Sequence, residues 1–80
     1  MGYIVSVRDK ASGEEVDAIA VRFVSQGAGY QATVAWQSFI KVGFGPSRSD
    51  AAQDVFDQFA RLDALSGYDL RLVPSADKAA

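Results

Sequence analysis

The chain of 80 residues contains no histidine and no cysteine. These two side chains supply most of the general bases, thiolate nucleophiles and soft metal ligands of small enzymes. A serine nucleophile would then need lysine as its base, but Lys10, Lys41 and Lys78 are expected in a loop, at a strand end and in a tail. The sequence therefore predicts a non-enzymatic protein with no cofactor and no metal, whose function is binding.

The chain also lacks an excess of positive charge and a long hydrophobic run. Its formal net charge is −2, whereas domains that neutralise many phosphates are usually clearly basic. No apolar segment approaches the roughly 20 residues of a membrane-spanning helix, and the start lacks the pattern of a signal peptide. We therefore expect a cytoplasmic protein with no membrane contact, and direct nucleic-acid binding is less favoured than protein binding.

The residues that are present describe an ordinary folded protein. Hydrophobic residues make up 49% and charged residues 22% of the chain. Eighty residues form one core and leave little room for an enclosed pocket. We expect a single domain over residues 1–80, in which Pro74 ends the last strand and residues 74–80 form a mobile tail.

Three segments alternate between faces with the period of two that is typical of β-strands. They cover residues 3–8, 16–24 and 30–37. Continuation of the third through Phe39 and Ile40 is one interpretation, and a bend or bulge over residues 38–42 is the other, because the alternation of faces becomes ambiguous there. Polar, glycine-containing turns join these segments as antiparallel neighbours. A fourth alternating segment runs over residues 68–73.

A helix is predicted between the third and fourth strands. Residues 43–46 end the sheet segment, and Ser47 or Ser49 is the N-cap, with Ser47 and Asp50 forming a variant of the capping box. Gly67 is placed to end the helix in the left-handed conformation. Apolar residues recur between these ends at helical spacing: Ala52, Val55, Phe56, Phe59, Leu62 and Leu65.

The predicted fold is α+β, with an antiparallel sheet of about four strands, one helix packed on one face, and the order β-β-β-α-β. The covered face is expected to carry Val5, Val7, Ile19, Val21, Phe23, Val34, Trp36, Leu70 and Leu72. The opposite face is expected to carry Ile4, Ala18, Ala20, Val24, Thr33 and Ala35, together with Arg8 and Arg22. This second face is small and half apolar, as surfaces that contact another protein often are.

The helix carries the first group of candidate partner-binding residues. Asp50, Asp54 and Asp57 lie at spacings of four and three and therefore project from one side. Three carboxylates so placed could hold Mg²⁺, but the same spacing is common on solvated helix faces, with Asp57 paired to Arg61 one turn later. We interpret this acidic stripe as a surface that meets a basic partner.

Two turns carry the other candidates. Glu14 and Glu15 add negative charge in the first turn, and Phe44 lies between two glycines where it would be an exposed aromatic anchor. Aromatic side chains are enriched among the residues that dominate interface energies.

This sequence predicts a small acidic α+β chain without a catalytic motif. In these respects it resembles, over residues 3–73, the anti-CRISPR proteins encoded by phages and mobile elements of bacteria. The resemblance implies an inhibitor that binds a CRISPR-Cas or other defence complex in the bacterial host and blocks its access to nucleic acid. Such proteins often meet a lysine- and arginine-rich groove with acidic side chains. No individual residue is carried over from the family. The leading hypothesis is therefore a non-enzymatic protein-binding module that acts as such an inhibitor.

Two alternatives remain open. The first is a structural homodimer built through the uncovered sheet face or an edge strand, because alanines occupy that face where charges would be expected. The second is a weak nucleic-acid-binding domain with a local basic patch. The patch would comprise Arg8, Arg22, Lys41 and Arg48.

Overall fold

The computed structural model describes residues 2–75, which form six β-strands, one α-helix and a short 3₁₀ helix. Their bounds are β1 Gly2–Asp9, β2 Glu15–Ala20, β3 Arg22–Gln26, β4 Gly29–Trp36, β5 Phe39–Gly45, α1 Arg48–Ala60, the 3₁₀ helix Asp63–Leu65 and β6 Tyr68–Ser75. Residues 76–80, most of the predicted tail, lie outside the described residues.

The strands form two antiparallel three-stranded sheets. Sheet A has the order β2-β1-β6, and sheet B has the order β3-β4-β5. Val21 alone separates β2 from β3, and its N–H donates to the carbonyl of Tyr3 at 3.0 Å, so one bent segment passes from sheet A into sheet B. The α+β class and the antiparallel pairing are confirmed, whereas the prediction of one four-stranded sheet is wrong.

Two features of the chain explain the extra strands. Ile19, Val21 and Phe23 all point inward across the bend, so the alternation of side chains gives no sign that the strand divides there. The run after Trp36 reverses at once, and Phe39 pairs with Trp36 across a two-residue turn. Gln37 adopts a φ of 56° in that turn without the glycine or asparagine that usually marks one.

The side chains predicted to face inward do so. Val5, Val7, Ile19, Val21, Val34 and Trp36 are buried, and Phe23, Leu70 and Leu72 are partly buried against them. From α1, the core receives Ala51, Ala52, Val55 and Phe59. The helix packs mainly on β4 and β5, so it covers sheet B much more than sheet A.

The N-terminus of α1 is as predicted. Ser47 is the N-cap, its Oγ accepting the N–H of Asp50 at 3.1 Å and donating to the Asp50 carboxylate at 3.0 Å. The two residues therefore satisfy one free amide of the first turn and also place a negative charge near the positive end of the helix dipole.

The C-terminus of α1 differs from the prediction. The helix ends at Ala60, because Leu62 adopts an extended conformation before the 3₁₀ helix. Leu65 is buried in the core, but it belongs to the 3₁₀ helix and not to α1. Gly67 does not form a left-handed cap, since within residues 2–75 only Gly13, Gly27 and Gln37 have positive φ. Its carbonyl instead accepts the N–H of Lys10 at 3.1 Å, which extends the pairing of β1 with β6.

Gly43 and Gly45 belong to β5 and not to the predicted turn. A Cβ atom on Gly43 would overlap the main chain of Val55, and one on Gly45 would lie 2.5 Å from the nitrogen of Ala51. The glycines are therefore required for the close approach of α1 to β5, a role that has the same sequence signature as a turn.

Candidate functional site

The side of sheet B opposite α1 carries the candidate site. Side chains alternate along a strand, so those that flank the buried Ala32 and Val34 point away from the helix. We call this surface the outer face of sheet B. It comprises Arg22, Val24, Gln31, Thr33, Ala35, Ile40, Val42 and Phe44.

Large apolar side chains on this face are exposed to solvent. The exposed fractions are 59% for Val24, 65% for Ile40 and 57% for Phe44. The strand register places Val24 and Phe44 on either side of Gln31. Apolar groups on the two outer strands therefore flank polar groups on the central strand, with Arg22 as the single charge in the set.

Two depressions extend the face at its ends. One has a volume of about 490 Å³ and lies beside Phe44, where Tyr30, Pro46 and Ala28 also line it. The other has a volume of about 570 Å³ and is lined by residues of β2 and β4. Small side chains line the second depression next to Ile40: Ala18, Ala20, Thr33 and Ala35. These alanines of the uncovered face thus form a recess between the two sheets.

Helix side chains fix the position of Phe44. Its N–H donates to Oδ2 of Asp54 at 2.9 Å, and the carbonyl of Val42 accepts a hydrogen bond from Nε2 of Gln58 at 2.8 Å. These main-chain groups point away from β4, so α1 satisfies part of the free edge of β5. Phe44 is exposed, as expected, but it belongs to a strand and not to a turn.

The helix aspartates have different environments. Asp50 is engaged with Ser47, and Asp54 accepts the N–H of Phe44. Asp57 is exposed and accepts a hydrogen bond from Nε2 of Gln53 at 2.9 Å, in place of the expected partner Arg61. Two members of the predicted acidic stripe, Asp50 and Asp54, therefore form hydrogen bonds that stabilise the fold itself.

The acidic turn lies elsewhere in the molecule. Glu14 and Glu15 are exposed at the connection from β1 to β2, in sheet A, whereas the helix aspartates lie over sheet B. Within residues 2–75, no group of three or more acidic, histidine or cysteine side chains is arranged to hold a metal ion. The structure does not bring the two predicted acidic groups together.

The basic residues are also dispersed. Arg48 lies over the rings of Phe23 and Tyr30, at 5.8 and 5.5 Å from their centroids. Arg22 is on the outer face of sheet B, while Lys41 is paired with Val34 on the inward face. The structure therefore distributes the residues of the expected basic patch over different surfaces.

Sequence reasoning missed Ile40 and Val42 as members of the site. Their faces are defined only by the turn at Gln37 and Ser38, which the sequence analysis did not place. The available signal was the pair of polar residues between Trp36 and Phe39, in a segment that is otherwise apolar.

No protein-family model matches the chain, and searches of curated proteins and of solved structures find no significant match. No helix within residues 2–75 is long and apolar enough to span a membrane.

Proposed function

We propose that this protein is a non-enzymatic protein-binding module whose contact surface is the outer face of sheet B. The observation that carries the proposal is the exposure of Val24, Ile40 and Phe44 on one face. Large apolar side chains clustered on a surface favour contact with another protein, because removing them from water stabilises the complex.

The composition of the face indicates the chemistry of the partner. Phe44 is the anchor, since a large aromatic side chain buries much area with few rotatable bonds. Gln31 and Thr33 require polar groups opposite the central strand, and Arg22 requires an acceptor at the margin. The partner surface is therefore mainly apolar, with hydrogen-bonding groups near its centre.

Inhibition of a bacterial defence complex is the narrower form of this proposal. It is supported by the resemblance in size and architecture and by the exposed carboxylates of Asp57, Glu14 and Glu15. Asp50 and Asp54 support it less, because their carboxylates bond to the N-cap Ser47 and to the main chain of β5, whereas that of Asp57 bonds to the exposed side chain of Gln53. The apolar face is a more specific indication of binding than these acidic residues are of a basic partner.

The experiment compares Phe44→Thr with Val16→Thr. Both replace an exposed apolar side chain in a strand, at 57% and 50% exposure, but Val16 lies in sheet A. A partner is first captured from host lysate with the wild-type protein, and its Kd is then measured by calorimetry with the purified partner. We expect Phe44→Thr to weaken binding by about thirtyfold, the loss typical of a central aromatic contact, and Val16→Thr to leave the Kd unchanged.

An unchanged Kd for folded Phe44→Thr would reject the outer face as the contact surface. Loss of binding on Asp57→Lys, with Phe44→Thr unaffected, would move the site to the acidic side of α1.

A further inference from the structure

β6 is one of the two edge strands of sheet A, and the edge that does not face β1 pairs with no other strand of residues 2–75. The N–H of Lys10 bonds to the carbonyl of Gly67, in register with the pairs of β1 and β6. Because hydrogen-bonding direction alternates along an antiparallel strand, Asp69, Arg71 and Val73 point their main-chain groups toward β1. Tyr68, Leu70 and Leu72 therefore point their N–H and C=O groups away from β1. We call these main-chain groups the free edge of β6.

Pro74 agrees with this assignment. It is paired with Tyr3, whose carbonyl bonds to Val21 on the other side of β1. The nitrogen of Pro74 therefore faces the free edge of β6, where the absence of an N–H removes no bond to β1. This position also explains why the strand continues to Ser75 beyond a residue that was predicted to end it.

The side chains of β6 divide into two sets. Tyr68, Leu70 and Leu72 lie on the inward face and are only partly buried at the margin of the core. Asp69 and Arg71 are exposed on the outward face with opposite charges, and no ion pair joins either one to another residue of the described chain.

We propose that β6 pairs antiparallel with β6 of a second copy of this chain, about a two-fold axis at Leu70. Leu70 then lies opposite its own symmetry mate, and Tyr68 lies opposite Leu72 of the second copy. In each of these pairs both residues point their main-chain groups away from β1, so the pair exchanges two main-chain hydrogen bonds. Asp69 lies opposite Arg71 of the second copy, and the symmetry forms this charge pair twice.

Charge complementarity selects this register over its neighbours. An axis at Asp69 places two aspartates opposite each other, and an axis at Arg71 places two arginines opposite each other, which is unfavourable in both cases. An axis at Leu72 places Pro74 opposite Leu70, so a hydrogen-bond donor is lost. Only the axis at Leu70 combines a full set of donors with opposite charges.

The dimer joins the two copies of sheet A into one six-stranded sheet. The partly buried Tyr68 and Leu72 then cover each other across the interface, which continues the core between copies. This inference does not rest on the proposed function, because it concerns a different sheet and a partner of known sequence.

The test measures self-association by sedimentation equilibrium for five proteins. We expect the wild type to dimerise, and Asp69→Arg or Arg71→Asp to raise the dimer Kd about tenfold by placing like charges opposite each other twice. The double variant, with both changes, restores opposite charges and returns the Kd to within about threefold of the wild type. Arg22→Asp is the matched control, since it makes the same charge change on sheet B and leaves the Kd unchanged.

Amide hydrogen exchange supplies a second measurement that does not depend on variants. We expect the amides of Tyr68, Leu70 and Leu72 to become protected as the concentration of the wild type rises through the dimer Kd. A wild type that stays monomeric at about 1 mM, a double variant that shows no rescue, or a dimer with unprotected amides at these positions would each overturn the proposal.

Discussion

Gln37 determines which residues of β5 reach the candidate site. Its φ of 56° reverses the chain within two residues and pairs Trp36 with Phe39. Ile40 then faces outward and Gly43 faces the helix. A side chain in the left-handed region is unfavourable by about 1 kcal/mol, because Cβ approaches the following carbonyl oxygen.

Replacing Gln37 with glycine tests this strain. We expect Gln37→Gly to raise the free energy of unfolding by up to about 1 kcal/mol in urea denaturation, since glycine adopts positive φ without the steric penalty. Ser38→Gly is the control: Ser38 does not have positive φ, so glycine there only adds freedom to the unfolded chain and lowers stability. Equal stabilisation by the two variants would contradict the role assigned to Gln37.

At the scale of elements, α1 and β5 form the unit that supports the outer face of sheet B. Gly43 and Gly45 allow the helix to approach, and Asp54 and Gln58, one turn apart on α1, bond to main-chain groups of β5. The exposed position of Phe44 is therefore set from the opposite side of the sheet by the helix.

The contribution of Asp54 can be separated from that of Asp57. We expect Asp54→Ala to lower the free energy of unfolding by about 1–2 kcal/mol, because the N–H of Phe44 loses a charged acceptor. Asp57→Ala removes the same charge but only a surface bond to Gln53, so a change within about 0.5 kcal/mol is expected. Equal losses in thermal or urea unfolding would show that the contact with β5 contributes nothing.

This difference also affects tests of the acidic surface. Asp57→Lys reports on partner contact alone, whereas Asp54→Lys disturbs the edge of β5 as well. Among the three helix aspartates, a change at Asp57 therefore best separates contact with a basic partner from a loss of structure.

The elements also show where the sequence pattern was sufficient. Alternation predicted the inward faces of the strands correctly, and local hydrogen-bonding chemistry at Ser47 predicted the start of α1. The end of α1 was wrong, because Leu65 keeps helical spacing while reaching the core from a separate 3₁₀ turn. Apolar periodicity therefore indicates which side chains are buried. It does not determine whether one continuous helix, or a helix followed by a 3₁₀ turn, places them in the core.

At the scale of the whole molecule, Trp36 links the two sheets. Its Nε1 donates to Oδ2 of Asp17 at 2.7 Å, so β4 of sheet B is joined to β2 of sheet A. Its ring also meets that of Tyr68 edge to face, with centroids 5.3 Å apart. Trp36 is buried, so its N–H needs an acceptor within the protein.

A graded pair of variants at Asp17 tests this link. Asp17→Ala leaves the indole N–H without its acceptor and is expected to lower the free energy of unfolding by about 1–3 kcal/mol. Asp17→Asn retains an acceptor oxygen and is expected to lose less. Fluorescence of Trp36, the single tryptophan of the chain, follows the unfolding directly. The result that would contradict the link is an Asp17→Ala protein as stable as Glu15→Ala on the same strand.

The two proposed contact surfaces lie on different sheets of the protein. The outer face of sheet B binds the partner in one proposal, and the free edge of β6 in sheet A joins two copies in the other. A two-fold axis perpendicular to sheet A leaves the outward faces of both copies on the same side. A dimer would therefore carry two copies of the outer face of sheet B, related by the same two-fold axis.

The sequence by itself determined the α+β class, the inward side chains and the N-cap, because each depends on neighbours within a few residues along the chain. The absence of histidine and cysteine is likewise a property of the sequence alone, and it removes the commonest general bases and thiolate nucleophiles. Only the tertiary structure decided that the sheet divides at Val21, that Gly43 faces a helix, and that Leu70 points its N–H to a free edge. These properties depend on which strand lies beside which, and that pairing joins residues far apart in the chain.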